Sequence, residues 1–209
     1  QLGISRFFEA CVASGRQISL IGSIIICASI IIGVLSMTGL GVKLTSLIIS
    51  LSDNNIWPAL ILTGIACLLL GMEVPTTAAY VICVSVAGPA LVDMGLELLQ
   101  VHLFVFWFAL LSTITPPVCG TVFIASGMVS ENWLKVSLTS MSLGIGLYFI
   151  PLAMIANEAI IQLETDFISS IMAFVKIALS LVMLSYAFIG KHLIIAKMIS
   201  FGLGLFVMF

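Results

Sequence analysis

The sequence predicts an all-α integral membrane protein in which two apolar segments are interrupted within the bilayer. Three observations lead there. Hydrophobic residues make up 62% of the chain and charged residues 8%, against about 25% charged in an ordinary soluble domain, and mean hydropathy is +1.33. Charge-free windows recur that reach the roughly 20 residues a spanning helix requires. Finally, two oily stretches are cut by glycine, proline and hydroxyl residues: "LLLGMEVPTTAAY" (68–80) and "STITPPVCG" (112–120).

The net charge of −2 is small and scattered, which excludes a nucleic-acid surface or a polybasic lipid-binding segment. Cys11, Cys27, Cys67, Cys83 and Cys119 stand singly in apolar stretches. They lack the spacing of zinc or redox motifs and read as small buried hydrophobes. The chain starts at Gln1 and stops inside the apolar run "ISFGLGLFVMF", so a fragment of a longer protein is expected.

The elements follow in order. Between Arg16 and Lys43 lies one uncharged span. Residues 39–55 carry Leu44, Leu47, Ile48 and Leu51 at helical spacing with Lys43 and Asp53 near the ends, the pattern of an amphipathic helix lying in the interface. Apolar segments 56–70 and 77–94 are joined by "GMEVPT". The first reaches only about 22 Å, short of the roughly 30 Å hydrocarbon core, which predicts a re-entrant hairpin over about 56–94. From Leu98 to Ser130 no residue is charged. Two adjacent prolines remove two donors and clash with the preceding turn, so this segment (about 100–128) must be a broken helix with halves at about 100–113 and 118–128. A span at about 134–156 follows, with Gly144, Gly146 and Pro151 allowing a bend. The acidic loop "NEAIIQLETD", a span at about 167–189, a basic turn at "GKHLIIAK" and a last helix complete the chain. The organisation is therefore a unit of about 1–160 followed by additional transmembrane helices in 161–209.

With the amino end cytoplasmic, Arg6, Arg16, Lys135, Lys191 and Lys197 fall inside, while Asp53, Asp93, Glu97, Glu158, Glu164 and Asp166 fall outside. Only Lys43 among the flanking cations opposes the positive-inside rule. Two full spans in 56–94 would give the same parity, so the hairpin rests on segment length and its polar tip.

Unpaired backbone groups cost several kcal/mol each in hydrocarbon, so a break survives only where protein, water or a ligand satisfies the freed groups. Carbonyls at the carboxyl ends of half-helices (near Leu70, Gly71, Thr113 and Ile114) suit a small cation. Amides at the amino ends (near Thr77, Ala78, Val118 and Cys119) suit an anion. Hydroxyls of Thr76, Thr77, Ser112, Thr113 and Thr115 add oxygens without charge. Paired broken segments near the midplane are the pattern of an ion-coupled secondary transporter.

"GMEVPTTAAYVICVSVAGPALVDMG" followed by "HLFVFWFALLSTITPPVCGTVFIASGM" closely resembles the large membrane subunit of tripartite ATP-independent periplasmic (TRAP) transporters, and within them the fused permeases that work with TAXI-type binding proteins. The resemblance covers about residues 1–160. It implies an elevator-type transporter of two inverted repeats, of which this chain is most of the second. It further implies a multi-pass permease of the inner membrane, not an enzyme, that takes up carboxylate-type organic solutes delivered by a periplasmic substrate-binding protein. Sodium is the expected coupling ion and no other cofactor is implied; the missing first repeat and small-subunit helices are expected partners. Position by position, the tip matches at Gly71, Pro75, Thr76 and Thr77, and the broken helix at Ser112, Thr113, Thr115, Pro116 and Pro117. Expected solute contacts are Thr76, Thr77, Thr115, Pro116, Pro117 and Val118; expected sodium ligands are Gly71, Thr76, Ser112, Thr113 and Thr115. Glu73 stands where the family usually has a small residue, and either faces water, assists a cation or repels an anion.

Three other residues invite roles. Lys176, about 15 Å into its span, reads as snorkelling or paired with a neighbouring helix. His102 reads as an interfacial hydrogen-bonding residue, and Gly144 and Gly146 as helix-packing positions. Three other functions are compatible with the hydrophobicity: a stand-alone organic anion carrier of related architecture, an intramembrane hydrolase using Ser112 or Ser126 with His102, or a passive structural or assembly subunit, which leaves the two polar breaks unexplained. The hydrolase lacks a G-x-S-x-G elbow, and ten residues separate Ser112 from His102.

Overall fold

The computed structural model describes residues 3–72, 74–117, 119–161, 166–189 and 194–209, and all regular structure among them is helical. Glu73, Val118, Glu164 and Lys191, to which the sequence assigns roles, lie outside the described residues. The 35-residue helix α1 (Ile4–Thr38) is longer than the uncharged window because it continues back through Arg16, Glu9 and Arg6. It ends at Gly39, whose φ of +66° is a left-handed conformation that glycine adopts without a Cβ penalty. Within α1, Ser23, Ser29 and Thr38 return their hydroxyl protons to the carbonyl four residues earlier, which hides them in an apolar setting.

Helix α2 (Leu40–Leu51) lies in the segment expected to be amphipathic, but its inward face differs from the leucine stripe. Ile48, Thr45 and Ser52 are buried, whereas Leu47 and Leu51 are exposed. Leucine has nothing to gain from facing protein instead of lipid, so apolar spacing alone does not tell inside from outside here. The same correction applies to the cysteines: Cys67, Cys83 and Cys119 are buried, while Cys11 and Cys27 on α1 are exposed.

Helices α3 (Ile56–Leu70) and α4 (Thr76–Val86) pack side by side across the short connection 71–75, and α5 (Gly88–Asp93) continues beyond a kink at Ala87. Helix α6 (Leu98–Leu111) packs against both α3 and α4. Phe104, Leu60, Leu91, Val101 and Val105 form the fully buried centre of this group. The approach of α3 to α6 needs Gly64, since a Cβ there would come within 2.9 Å of the Phe108 ring.

The interruption after α6 is wider than the sequence suggests, because α7 (Gly120–Val129) begins only after Cys119. Helices α8 (Trp133–Leu143) and α9 (Ile145–Ala156) form one apolar pair bent by 41°, with the bend at Gly144. Helix α10 (Phe167–Ile189) is, among the described residues, long and apolar enough to cross a bilayer unaided. It packs on α11 (Ile194–Met208) through Ser180, whose hydroxyl donates to the Gly204 carbonyl. Large apolar side chains face outward along the chain, Met37 being 89% exposed and Phe206 83%, which fits a lipid-solvated surface.

Pro151 inside α9 has no N–H, so the carbonyl four residues earlier, at Leu147, loses its helical donor. Trp107 of α6 supplies one instead, its Nε1 lying 2.8 Å from Leu147 O. Trp107→Phe keeps the ring area and removes this donor; we expect it to destabilise the fold by about 1 kcal/mol, measured as a lowered thermal midpoint of the purified permease. At the end of α9, Lys176 Nζ lies 3.0 Å from Asn157 Oδ1, and Asn157 Nδ2 donates to Ala153 O and, at 2.9 Å, to Met208 O. The Lys176 ammonium is thus held by a neutral amide that also ties α9 to α11.

Candidate functional site

Helices α3 and α6 contain 15 and 14 residues, about 22 and 21 Å of length. Both start on capped ends. Asn55 Oδ1 accepts from Trp57 N at 3.1 Å, and Glu97 and Gln100 form a reciprocal capping box. Both stop at an interruption, and the two interruptions touch. Ser112, which is 1% exposed, places Oγ 3.0 Å from Gly71 O and 2.7 Å from Ala109 O, so one hydroxyl proton serves both carbonyls. Gly71 is required for this approach, because a Cβ on it would lie 2.5 Å from Ser112 Oγ.

The hydroxyls of the second interruption share one orientation. Thr113 Oγ1 donates to Leu110 O at 2.8 Å, and Thr115 Oγ1 to Leu111 O at 2.7 Å. Thr121 Oγ1 reaches back to Thr113 O at 2.6 Å. Of the carbonyls expected to be free, Thr113 O accepts one hydrogen bond, from Thr121 Oγ1, and Gly71 O accepts two, from Ser112 Oγ and, at 3.4 Å, from Val74 N. A carbonyl oxygen has two lone pairs, and a hydroxyl whose proton points into the preceding turn still presents oxygen lone pairs outward. The set is one of neutral oxygens. Among the described residues, no group of three or more His, Cys, Asp or Glu side chains could hold a metal. Thr115 Oγ1 also lies 2.6 Å from Tyr148 Oη, which brings α9 to the interruption; Tyr148 was not singled out from the sequence.

Thr76 and Thr77 sit elsewhere. They open α4, whose N-cap Pro75 makes no side-chain capping bond; the N-cap of α7, Cys119, likewise makes none. Both threonines line a cavity of about 440 Å³ between α1, α4 and α6, together with Tyr80, His102 and Phe106. Among its described lining residues are none of Ser112, Thr113, Thr115, Pro116 or Pro117. The structure thus joins the two interruptions through Gly71 and Ser112 but gives Thr76 and Thr77 a wall of their own. Pro116 is half-buried and Pro117 exposed within the interruption.

Tyr80 Oη lies 2.6 Å from His102 Nδ1. That pairing, across 22 positions, carries no local signal in the sequence. It also weighs against a hydrolase, since the His102 nitrogen facing α4 meets a phenol, while Ser126 Oγ donates to Phe123 O and Ser112 to the carbonyls named above. At the mid-chain bend, a Cβ on Gly144 would meet Ile114 Cδ1 at 3.5 Å, and one on Gly146 would meet Leu181 at 3.2 Å. Gly146 thus sits at a close contact with α10, whereas the tightest approach to Gly144 is the Ser140 carbonyl of α8, at 3.2 Å.

A family model described as "Tripartite ATP-independent periplasmic transporter, DctM component" matches residues 1–165. Comparisons with curated proteins and with solved structures give no match. With 165 of its 209 residues matched, the chain belongs to the DctM family, the large membrane permease component of TRAP transporters, a family of transporters and not of enzymes that implies partnership with a periplasmic binding protein and a small membrane component.

Proposed function

We propose that this permease is a sodium-coupled importer of carboxylate-type organic solutes in the inner membrane, of the fused TAXI-type, and that the joined interruptions form its cation site. In this reading residues 1–160 are the second of two inverted repeats in an elevator-type transporter, residues 56–94 are a re-entrant hairpin, and 161–209 are additional multi-pass helices.

The observation that carries the reading is the contact of Ser112 with Gly71. It brings two helix ends together, each after about 21–22 Å of apolar helix, which is about two thirds of a hydrocarbon core. The oxygens gathered there belong to hydroxyls and carbonyls. Such uncharged donors suit a singly charged cation, which is dehydrated cheaply compared with a divalent ion and needs no carboxylate. Ser112, Thr113 and Thr115 are the ligands supported by this geometry, and Gly71 O joins them by giving up its long bond from Val74 N; Thr76 is assigned to the solute with Thr77. The starts of α4 and α7 provide amides for a carboxylate. Pro116 and Pro117 precede the second of those starts.

Uptake by the full-length permease, reconstituted in proteoliposomes with its binding protein, tests the proposal. An inward sodium gradient is expected to raise uptake of an organic acid at least about tenfold over sodium-free vesicles, and only when the binding protein is present. Sodium-driven uptake that ignores the binding protein would show a stand-alone carrier instead.

A further inference from the structure

The cavity between α1, α4 and α6 is mostly apolar and carries a few polar side chains. Its volume of about 440 Å³ lies within the range of small-molecule pockets. Phe106 packs edge-on against Tyr80 at 5.8 Å between ring centroids. Thr76, Thr77, Tyr80 and His102 are polar residues of its lining. Tyr80 Oη and His102 Nδ1 share one hydrogen bond at 2.6 Å; in the tautomer where the phenol is the donor, the ring proton of His102 is on Nε2 and the imidazole offers an N–H. Thr76 and Tyr80 are four residues apart on α4 and therefore share one helix face. Their ridge joins the His102 donor to the two threonine hydroxyls and to the first turn of α4.

We propose that this cavity is the solute subsite and selects a monocarboxylate with an apolar body, such as an aryl or branched alkyl acid. The carboxylate is held by the His102 N–H and the Thr76 and Thr77 end of α4, and the body packs on Phe106. Tyr80 is a positioning residue, since it sets the imidazole tautomer without itself holding the acid. A dicarboxylate fits poorly, because its second charge would lie against the apolar wall without a partner. The inference rests on the transport reading given above.

Equilibrium binding of phenylacetate and of succinate to the purified permease complex in nanodiscs, beside sodium-driven uptake, tests it. Phenylacetate is expected to bind and succinate not to compete. His102→Leu should weaken phenylacetate binding at least about tenfold, the loss of one hydrogen bond to a charged group, while a sodium-induced rise in thermal midpoint persists and shows that the variant is folded. Tyr80→Phe should weaken it less, and His102→Gln should restore part of the loss. Equal binding by wild type and His102→Leu overturns the assignment, as does failure of phenylacetate to bind a permease that imports another acid with sodium. If phenylacetate binds through His102 but no acid is imported on a sodium gradient, the cavity stands and the transport reading falls.

Discussion

Gly71→Ala is expected to abolish sodium-driven uptake and to lower the stability of the permease. The added methyl would lie 2.5 Å from Ser112 Oγ, 2.9 Å from Ser112 Cβ and 3.1 Å from the Cys67 carbonyl. Ser112 is buried and bound to two carbonyls, so it cannot turn aside without breaking the contact that joins the interruptions. Overpacking of this kind costs about 1–3 kcal/mol, with a further cost of about 1 kcal/mol for the lost hydrogen bond. Thermal unfolding reads the first effect and proteoliposome uptake the second. Combining Gly71→Ala with Ser112→Gly restores the space but not the hydroxyl, so stability should recover more than transport. Equal recovery of both would mean that Ser112 is a spacer and contributes no oxygen to an ion.

The paired substitution Pro116→Ala and Pro117→Ala should be as damaging, by the opposite route. Proline is about 3 kcal/mol worse than alanine in a helix interior, so the pair removes the main obstacle to winding through 112–119. Helical content measured by circular dichroism should rise slightly. Re-winding turns Thr115 away from Tyr148 and Ser112 away from Gly71, and uptake should fall to the sodium-free background. Normal uptake with increased helicity would show that the interruption is not the working part of the molecule.

Features fixed by short-range chemistry were legible in the sequence. The prolines at 116 and 117, the Gly71 to Pro75 connection and the charge-bounded helix over 167–189 all announce themselves within a few residues. Gly144, flagged as a place for a bend, is where α8 and α9 part. Pairings between helices were hidden. Tyr80 with His102, Trp107 with Leu147 and Thr115 with Tyr148 join positions 22, 40 and 33 apart, and no local pattern specifies such partners. Orientation of apolar faces was hidden for another reason. Where the solvent is hydrocarbon, Leu47 and Leu51 on α2 and Cys27 on α1 are as comfortable outside as within. At the candidate site the residue types were readable, but the division between an oxygen cluster at Gly71 and Ser112 and a separate wall at Thr76 and Thr77 depends on how α4 is rotated.

The bond of Ser112 to Gly71 locks α3 to α6, and Trp107 and Thr115 lock α6 to α9. Three helices so fastened form a single lever with no play at its fulcrum. A displacement of the 71–75 connection must carry the other two arms with it. Among the described residues the chain changes direction at Gly39, with its left-handed backbone between α1 and α2, and at Gly144, where α8 meets α9 beside Ile114. The cross-braced polar centre is therefore expected to travel as one piece, with any change of angle taken up at such glycines.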